Sequence, residues 1–167
     1  MTLDVFNALP VDGARGELLR CCGCARWADA VLAGRPFRDK AALLAASDAA
    51  WAATGEAEWR EAFSHHPRIG GKDALREKFA ATRAWAKGEQ SGAAAASEAV
   101  LDALAAGNAA YEKRFGHIFI VCATGKSAAE MLDLLKSRLP NDAAAELRLA
   151  AGEQNKITKI RLEKLIP

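Results

Sequence analysis

Alanine dominates this sequence and limits the kind of fold that the chain can adopt. The chain has 39 alanines among its 167 residues, whereas only 7% of the residues are aromatic. Alanine is the strongest helix former and is depleted in strands. The length is that of one domain with a single hydrophobic core. We therefore predict an all-α fold, a single-domain helical bundle that covers residues 1–167.

Hydrophobic periodicity of three to four residues predicts seven helices in the chain. They cover residues 17–33, 39–53, 56–66, 73–86, 97–115, 127–139 and 141–165. We expect Asn141 to be the N-cap of the last helix, because an asparagine side chain can accept hydrogen bonds from the free N–H groups there. The apolar stripe of that helix is expected to comprise Leu147, Ala150, Ala151, Ile157 and Ile160.

The segment of residues 116–125 does not follow helical periodicity. It contains a short run of β-branched and aromatic residues between glycines, a pattern typical of a buried strand. No second strand is predicted that could pair with it, so we interpret it as irregular or extended backbone within a helical fold. Its amides need hydrogen-bond partners, and a polar ligand is one way to provide them.

Charge and hydropathy make two classes of partner improbable. The 23 basic and 21 acidic side chains give a net charge of +2, and the basic residues do not cluster, so we do not expect nucleic acid as a partner. No apolar run approaches the roughly 18 residues that span a membrane, and the first residues lack the pattern of an export signal. We expect a cytoplasmic protein without membrane association.

Four cysteines raise the question of a metal site. Cys21, Cys22 and Cys24 lie too close together to pair with one another without strain, and Cys122 is distant in sequence. On one helix the first three thiols would spread over about 300° and could not converge on one ion. We predict that these thiols are reduced and pack in the core, with no metal bound.

Two adjacent histidines follow a predicted helix. Trp59, Phe63 and His66 would share one face of that helix, whereas His65 would be rotated by about 100°. Pro67 ends the helix at His66, where the negative end of the helix dipole stabilises an imidazolium. This imidazole could exchange protons near neutral pH. Periodicity alone favours the alternative of a core histidine that binds a carbonyl.

Five motifs, spread over nearly the whole chain, occur in an order that resembles the OHCU decarboxylases, where OHCU is 2-oxo-4-hydroxy-4-carboxy-5-ureidoimidazoline. They are RPF at 35–37, HPRIG at 66–70, EQxG at 89–92, NxxYxxRFGxxFIxCA at 108–123 and EQxKIxxxRL at 153–162. The resemblance implies an all-helical homodimer without a cofactor. Its activity would be the decarboxylation of OHCU to (S)-allantoin, the last step of urate oxidation.

The resemblance also implies the site residues. His66 would be the catalytic acid or base, and Glu89 would be a second catalytic residue. Glu89 would also hold the ureido and ring nitrogens together with Gln90. The other residues expected to bind the substrate are Pro67, Ala86, Lys87, Gly88, Phe119, Ile120, Val121, Cys122 and Ala123. Ala86 stands where the family often has serine, so one hydroxyl contact to the substrate is missing or replaced.

A different class of function remains open from the residues themselves. The stripe of Trp59, Phe63 and His66 could instead bury against a partner protein, as in a non-catalytic helical interaction module. Such a module would have no turnover and no use for Glu89 and Gln90 in a glycine-bounded loop. A transthyretin-like hydrolase of the same pathway would need a β-rich chain, which the alanine content disfavours.

Overall fold

The computed structural model of the chain is helical. It describes residues 1–68, 73, 75–77, 79 and 92–167, with the backbone alone for 92–97. The helices with defined bounds in these ranges are α1 (Leu3–Ala8), α2 (Val11–Cys21), α3 (Ala25–Leu32), α4 (Lys40–Ala52), α5 (Glu56–Ser64), α6 (Gly92–Phe115), α7 (Ala128–Arg138) and α8 (Ala143–Leu165). Residues 73, 75–77 and 79 are also helical, and no strand occurs within the described ranges. The predicted all-α class is confirmed.

Side-chain caps fix where several helices begin. Asp39 accepts a hydrogen bond from the Ala42 amide (2.7 Å) ahead of α4, and Ser127 forms a capping box with Glu130 ahead of α7. These caps satisfy N–H groups that lack partners inside the helix. Both helices therefore begin within one residue of their predicted starts.

The predicted cap of the last helix is wrong by one residue. The Oδ1 atom of Asp142, not the side chain of Asn141, accepts the amides of Ala144 and Ala145 at 3.1 and 2.9 Å. Asn141 instead donates from Nδ2 to Oε2 of Glu146 (2.8 Å). Asp142 is the cap because an ionised carboxylate forms a stronger hydrogen bond with the free N–H groups at a helix start than a neutral amide does.

The predicted helix over residues 17–33 is two helices with a break at residues 22–24. Cys22 has extended backbone, and the Cys24 thiol accepts a hydrogen bond from the Trp27 amide (3.4 Å) as the N-cap of α3. A Cβ atom on Gly23 would lie 2.3 Å from Cγ of His65. The break therefore brings glycine backbone into direct contact with this imidazole ring.

The chain divides into two compact units. The first consists of Met1–His66, Ile120–Cys122 and Arg148–Pro167. Its core contains Phe6, Leu18, Trp27, Leu43, Phe63 and Leu162, each 2% exposed or less. The indole N–H groups of Trp27 and Trp51 donate to the carbonyls of Ser47 (3.2 Å) and Ala151 (3.0 Å), so these large side chains are buried without an unsatisfied donor.

Helix α1, which periodicity does not predict, is held by the RPF segment. The Arg35 guanidinium donates to the carbonyls of Asn7 and Leu9, and the Asn7 side chain exchanges two hydrogen bonds with the backbone of Phe37 (2.8 and 2.9 Å). The peptide bond between Arg35 and Pro36 is cis. Through the hydrogen bonds of Arg35 and Phe37, the RPF motif holds α1 in place within the first unit.

The second unit consists of Pro67–Phe119 and Ala123–Leu147. Its helices α6 and α7 pack closely at Gly107, where a Cβ atom would lie 2.5 Å from Cδ2 of Leu135. The unit also buries a carboxylate, that of Glu146, which binds Arg138 and Tyr111. Residues 116–125 leave α6 as irregular backbone, as predicted.

Candidate active site

His66 lies just beyond the end of α5. The helix ends at Ser64, His65 is its C-cap, and the His66 amide donates to the Phe63 carbonyl (3.2 Å). His66 is half-buried, whereas His65 is exposed. The predicted difference between the two histidines is therefore confirmed, although the helix is two residues shorter than expected.

The His66 ring binds a buried amide. Its Nε2 atom lies 2.5 Å from Oε1 of Gln154 on α8, and Gln154 is 0% exposed. The other end of the amide, Nε2, donates to Oγ1 of Thr158 (3.2 Å), which is 1% exposed. The Thr158 hydroxyl in turn donates to the Gln154 carbonyl (3.0 Å). A continuous hydrogen-bonded chain thus runs from the imidazole into the core of the first unit.

The buried stripe of α8 differs from the prediction. Leu147, Ala150 and Ala151 are buried as expected, but Ile157 and Ile160 are only half-buried. The stripe continues instead through Gln154, Thr158 and Leu162. Steps of three or four residues from Ala151 reach these positions. The sequence signal for a buried polar side chain was therefore a polar residue in helical register with the apolar ones. Gln154 and Thr158 are the site residues that sequence reasoning missed.

The irregular segment is bound to the same helix. The Cys122 amide donates to Oε2 of Glu153 (2.7 Å), and Lys156 binds the other carboxylate oxygen of Glu153 (2.5 Å). Ile120 is 2% exposed and, like Cys122, belongs to the first unit. One backbone amide of this irregular segment is therefore satisfied by a carboxylate of the protein.

The predicted site residues are only partly brought together. His66 and Cys122 contact consecutive residues of α8, Gln154 and Glu153, within the first unit. Pro67, Phe119 and Ala123 belong to the second unit, where the Phe119 ring packs edge-on against Tyr111 at 5.1 Å between ring centroids. Ala86, Lys87, Gly88, Glu89 and Gln90 lie outside the described residues.

All four cysteines are buried and free. Burial raises the pKa of the Cys21 thiol to about 11 and that of Cys22 to about 12, so both are neutral at physiological pH. The three clustered cysteines do not share one helix, because Cys21 ends α2 whereas Cys22 and Cys24 lie in the break before α3. Among the described residues, no group of three or more His, Cys, Asp or Glu side chains is placed to hold a metal ion.

Fold and site together define a helical protein whose candidate acid–base group is a histidine held by a buried amide at a helix end. A model of the family described as OHCU decarboxylase matches residues 7–163. The chain therefore belongs to the OHCU decarboxylase family, which is a family of carboxy-lyases.

Two relatives illustrate this membership. The uric acid degradation bifunctional protein TTL of Arabidopsis thaliana is 40% identical over 148 residues, which are 87% of this chain and 45% of the plant protein. A 2-oxo-4-hydroxy-4-carboxy-5-ureidoimidazoline decarboxylase of Amia calva is 33% identical over 151 residues, which are 86% of this chain and 81% of that protein. The chain thus spans less than half the length of the plant relative.

Solved structures share the fold. An OHCU decarboxylase crystallised in the presence of (S)-allantoin is 35% identical, with a TM-score of 0.70, over 89% of this chain and 96% of that one. An (S)-allantoin synthase is 19% identical, with a TM-score of 0.71, over 99% of this chain and 54% of that one, which is a likeness of fold alone. No helix in the described part of the chain is long and apolar enough to cross a membrane.

Proposed function

We propose that the protein decarboxylates 2-oxo-4-hydroxy-4-carboxy-5-ureidoimidazoline to (S)-allantoin, the last step of urate oxidation, without a cofactor. The observation that carries the proposal is His66 at the end of α5, in the family's HPRIG motif, with its Nε2 atom against buried Gln154. Family membership over residues 7–163 supports the assignment of the substrate. Residues 1–167 would act as one functional domain.

The proposed reaction needs orientation and one acid–base group. The bond between the ring carbon and the carboxylate breaks, and carbon dioxide leaves. The released electron pair forms a double bond to the neighbouring ring carbon, and the imine nitrogen on that carbon accepts the displaced electrons and takes up a proton from water. The ring hydroxyl then loses its proton to become a carbonyl, and the neighbouring carbon gains a proton. Because the ring itself delocalises the charge, positioning and proton transfer are sufficient catalysis.

We assign the proton transfer to His66 and the binding of ureido and ring nitrogens to Glu89 and Gln90. The remaining substrate contacts are assigned to Pro67, residues 86–88 and the segment from Phe119 to Ala123. Within that segment the Cys122 amide already donates to Glu153, so the substrate would meet other backbone groups. Assembly as a homodimer in the cytoplasm completes the proposal, and a solution mass of twice the 17.7 kDa of the chain would test the dimer.

The chirality of the product tests the function. The substrate loses carbon dioxide spontaneously, and the free intermediate then takes its proton from either face and gives racemic allantoin. An enzyme pocket presents its proton donor to one face only, so the protein should yield a single enantiomer. The substrate can be generated in situ from urate with the two upstream enzymes and followed by circular dichroism. A signal no larger than that of the protein-free control would refute the decarboxylase and favour the interaction module.

The two adjacent histidines provide a matched pair for the catalytic assignment. Replacing His66 by glutamine should lower turnover by about a hundredfold or more, the scale of a lost general acid or base. His65→Gln should change turnover little, because His65 is exposed. Similar losses in both variants would contradict the assignment of His66.

A further inference from the structure

The contacts of the Gln154 amide favour one orientation of its oxygen and nitrogen. The single proton of the Thr158 hydroxyl is donated to the Gln154 carbonyl (3.0 Å), so toward the Gln154 side chain this oxygen can only accept. The amide nitrogen accordingly faces Thr158 (3.2 Å), and the amide oxygen faces His66 (2.5 Å). The amide nitrogen also lies 3.9 Å from Sγ of Cys22, a weak acceptor.

An oxygen acceptor at 2.5 Å determines which ring nitrogen carries the proton. The amide oxygen has no proton to give, so Nε2 of His66 must be protonated in the neutral ring as well as in the imidazolium. The proton that the ring gains and loses is then the one on Nδ1. Gln154 and Thr158 are 0% and 1% exposed, so the Gln154 side of these hydrogen bonds is shielded from bulk solvent.

We propose that Gln154, oriented by Thr158, is a positioning residue that holds His66 in the Nε2–H tautomer and makes Nδ1 the nitrogen that exchanges the proton of the reaction. The kinetic part of this inference rests on the proposed decarboxylation, but the tautomer itself does not. The arrangement parallels other sites in which the partner of one ring nitrogen sets the chemistry of the other.

Nitrogen-15 NMR of the histidine rings reads the tautomer directly. The chain has three histidines, and the His66→Gln variant identifies the signals of His66. In the wild type, the neutral His66 ring should carry its proton on Nε2. Gln154→Met keeps the length of the side chain but removes the amide oxygen, so both neutral tautomers should become populated.

Thr158→Val is the sharper variant, because it preserves the shape of the side chain and leaves Gln154 and His66 in place. Without the hydroxyl acceptor the amide can turn, and its NH₂ group would then donate to Nε2 and move the ring proton to Nδ1. Thr158→Ser retains the hydroxyl and should keep the wild-type tautomer. Far-UV circular dichroism of each variant checks that α8 remains folded.

Kinetics provide a second readout. Gln154→Met should lower kcat by about tenfold to a hundredfold, the scale of one hydrogen bond to a charged group, with KM changed by less than about threefold. Asn155→Ala is the control on the same helix, because Asn155 binds Asp48 instead (2.9 Å). It should leave both the tautomer and kcat unchanged.

The outcomes separate this inference from the proposed function. A wild-type ring with its proton on Nδ1, or a tautomer that is the same in wild type, Gln154→Met and Thr158→Val, would overturn the positioning role while leaving decarboxylation possible. A wild type that holds Nε2–H but yields no optically active allantoin would overturn the decarboxylase and leave the tautomer assignment standing.

Discussion

The buried carboxylate of Glu146 should be among the most costly side chains to remove from this protein. Its side chain is 0% exposed and that of Arg138 is 6% exposed. Arg138 donates to Oε1 from Nε (2.8 Å) and Nη2 (2.5 Å), the Tyr111 hydroxyl donates to the same oxygen, and Asn141 donates to Oε2 (2.8 Å). Burial is the larger cause and the hydrogen bond to Glu146 the second cause that raise the pKa of Tyr111. The phenol is therefore a neutral donor.

We predict that Glu146→Leu lowers the free energy of unfolding by about 3 to 5 kcal/mol, the range for a buried ion pair that loses one partner. The guanidinium of Arg138 loses this counter-ion in a place with little water, and two neutral donors lose their acceptor. Domains of this kind have only about 5 to 15 kcal/mol of stability in total. At about 2 to 4 °C per kcal/mol for this chain length, Tm should fall by about 6 to 20 °C.

Urea unfolding at 25 °C, followed by circular dichroism, measures this loss. The set is wild type, Glu146→Leu, Arg138→Met and the double variant, which form a double-mutant cycle. The double variant should lose at least about 2 kcal/mol less than the sum of the two single losses, because it leaves no unpaired charge of this pair. Glu56→Ala, which breaks the exposed pair with Arg60, is the control and should change stability little. Additive losses, or a loss below about 1 kcal/mol in Glu146→Leu, would refute the reasoning.

Three further predictions concern the site and the thiols. Glu89→Gln should lower kcat/KM by about thirtyfold, or about 2 kcal/mol of transition-state binding, because one acceptor for substrate N–H groups becomes a donor; an unchanged value in steady-state assays would remove Glu89 from the site. Chelators should leave activity intact, and changing Cys21, Cys22 and Cys24 to alanine should affect stability only; a stoichiometric metal detected in the purified protein would contradict this. The folded-state pKa values of about 11 for Cys21 and about 12 for Cys22 lie above the ordinary value of 9.0. The neutral thiols therefore make their whole contribution to the free energy of unfolding below about pH 9, and this contribution is lost as pH rises toward 12. Unfolding midpoints in urea should therefore fall between pH 8 and 10.5, less steeply in a Cys21→Ala/Cys22→Ala variant, and identical slopes would show that the thiols do not cause the fall.

Features that depend on neighbouring residues were predictable from the sequence. Asp39 and Ser127 mark helix starts because a cap and the amide that it binds lie three residues apart. The irregular character of residues 116–125 was also predictable, because glycines and β-branched residues oppose a helix locally. The local pattern likewise separated half-buried His66 from exposed His65.

Features that depend on distant residues were not predictable. Gln154 stands in helical register with the apolar residues, but that register does not show that its amide binds His66, 88 positions away. At the break of residues 22–24, Gly23 likewise leaves the space that the ring of His65 occupies. In both cases the determinant is a tertiary contact, and helical periodicity describes only one of the two partners.

The proposed chemistry suits an all-helical protein because the groups that can meet a ligand lie where helices stop. Inside a helix nearly every amide is already bonded, so free polar groups occur at helix ends and in irregular backbone. His66 follows the end of α5, and Ile120–Cys122 lie between α6 and α7. Both are bound by consecutive residues of one long helix, Gln154 and Glu153 on α8. A rigid helix therefore fixes two irregular places relative to each other, which is what catalysis by positioning requires.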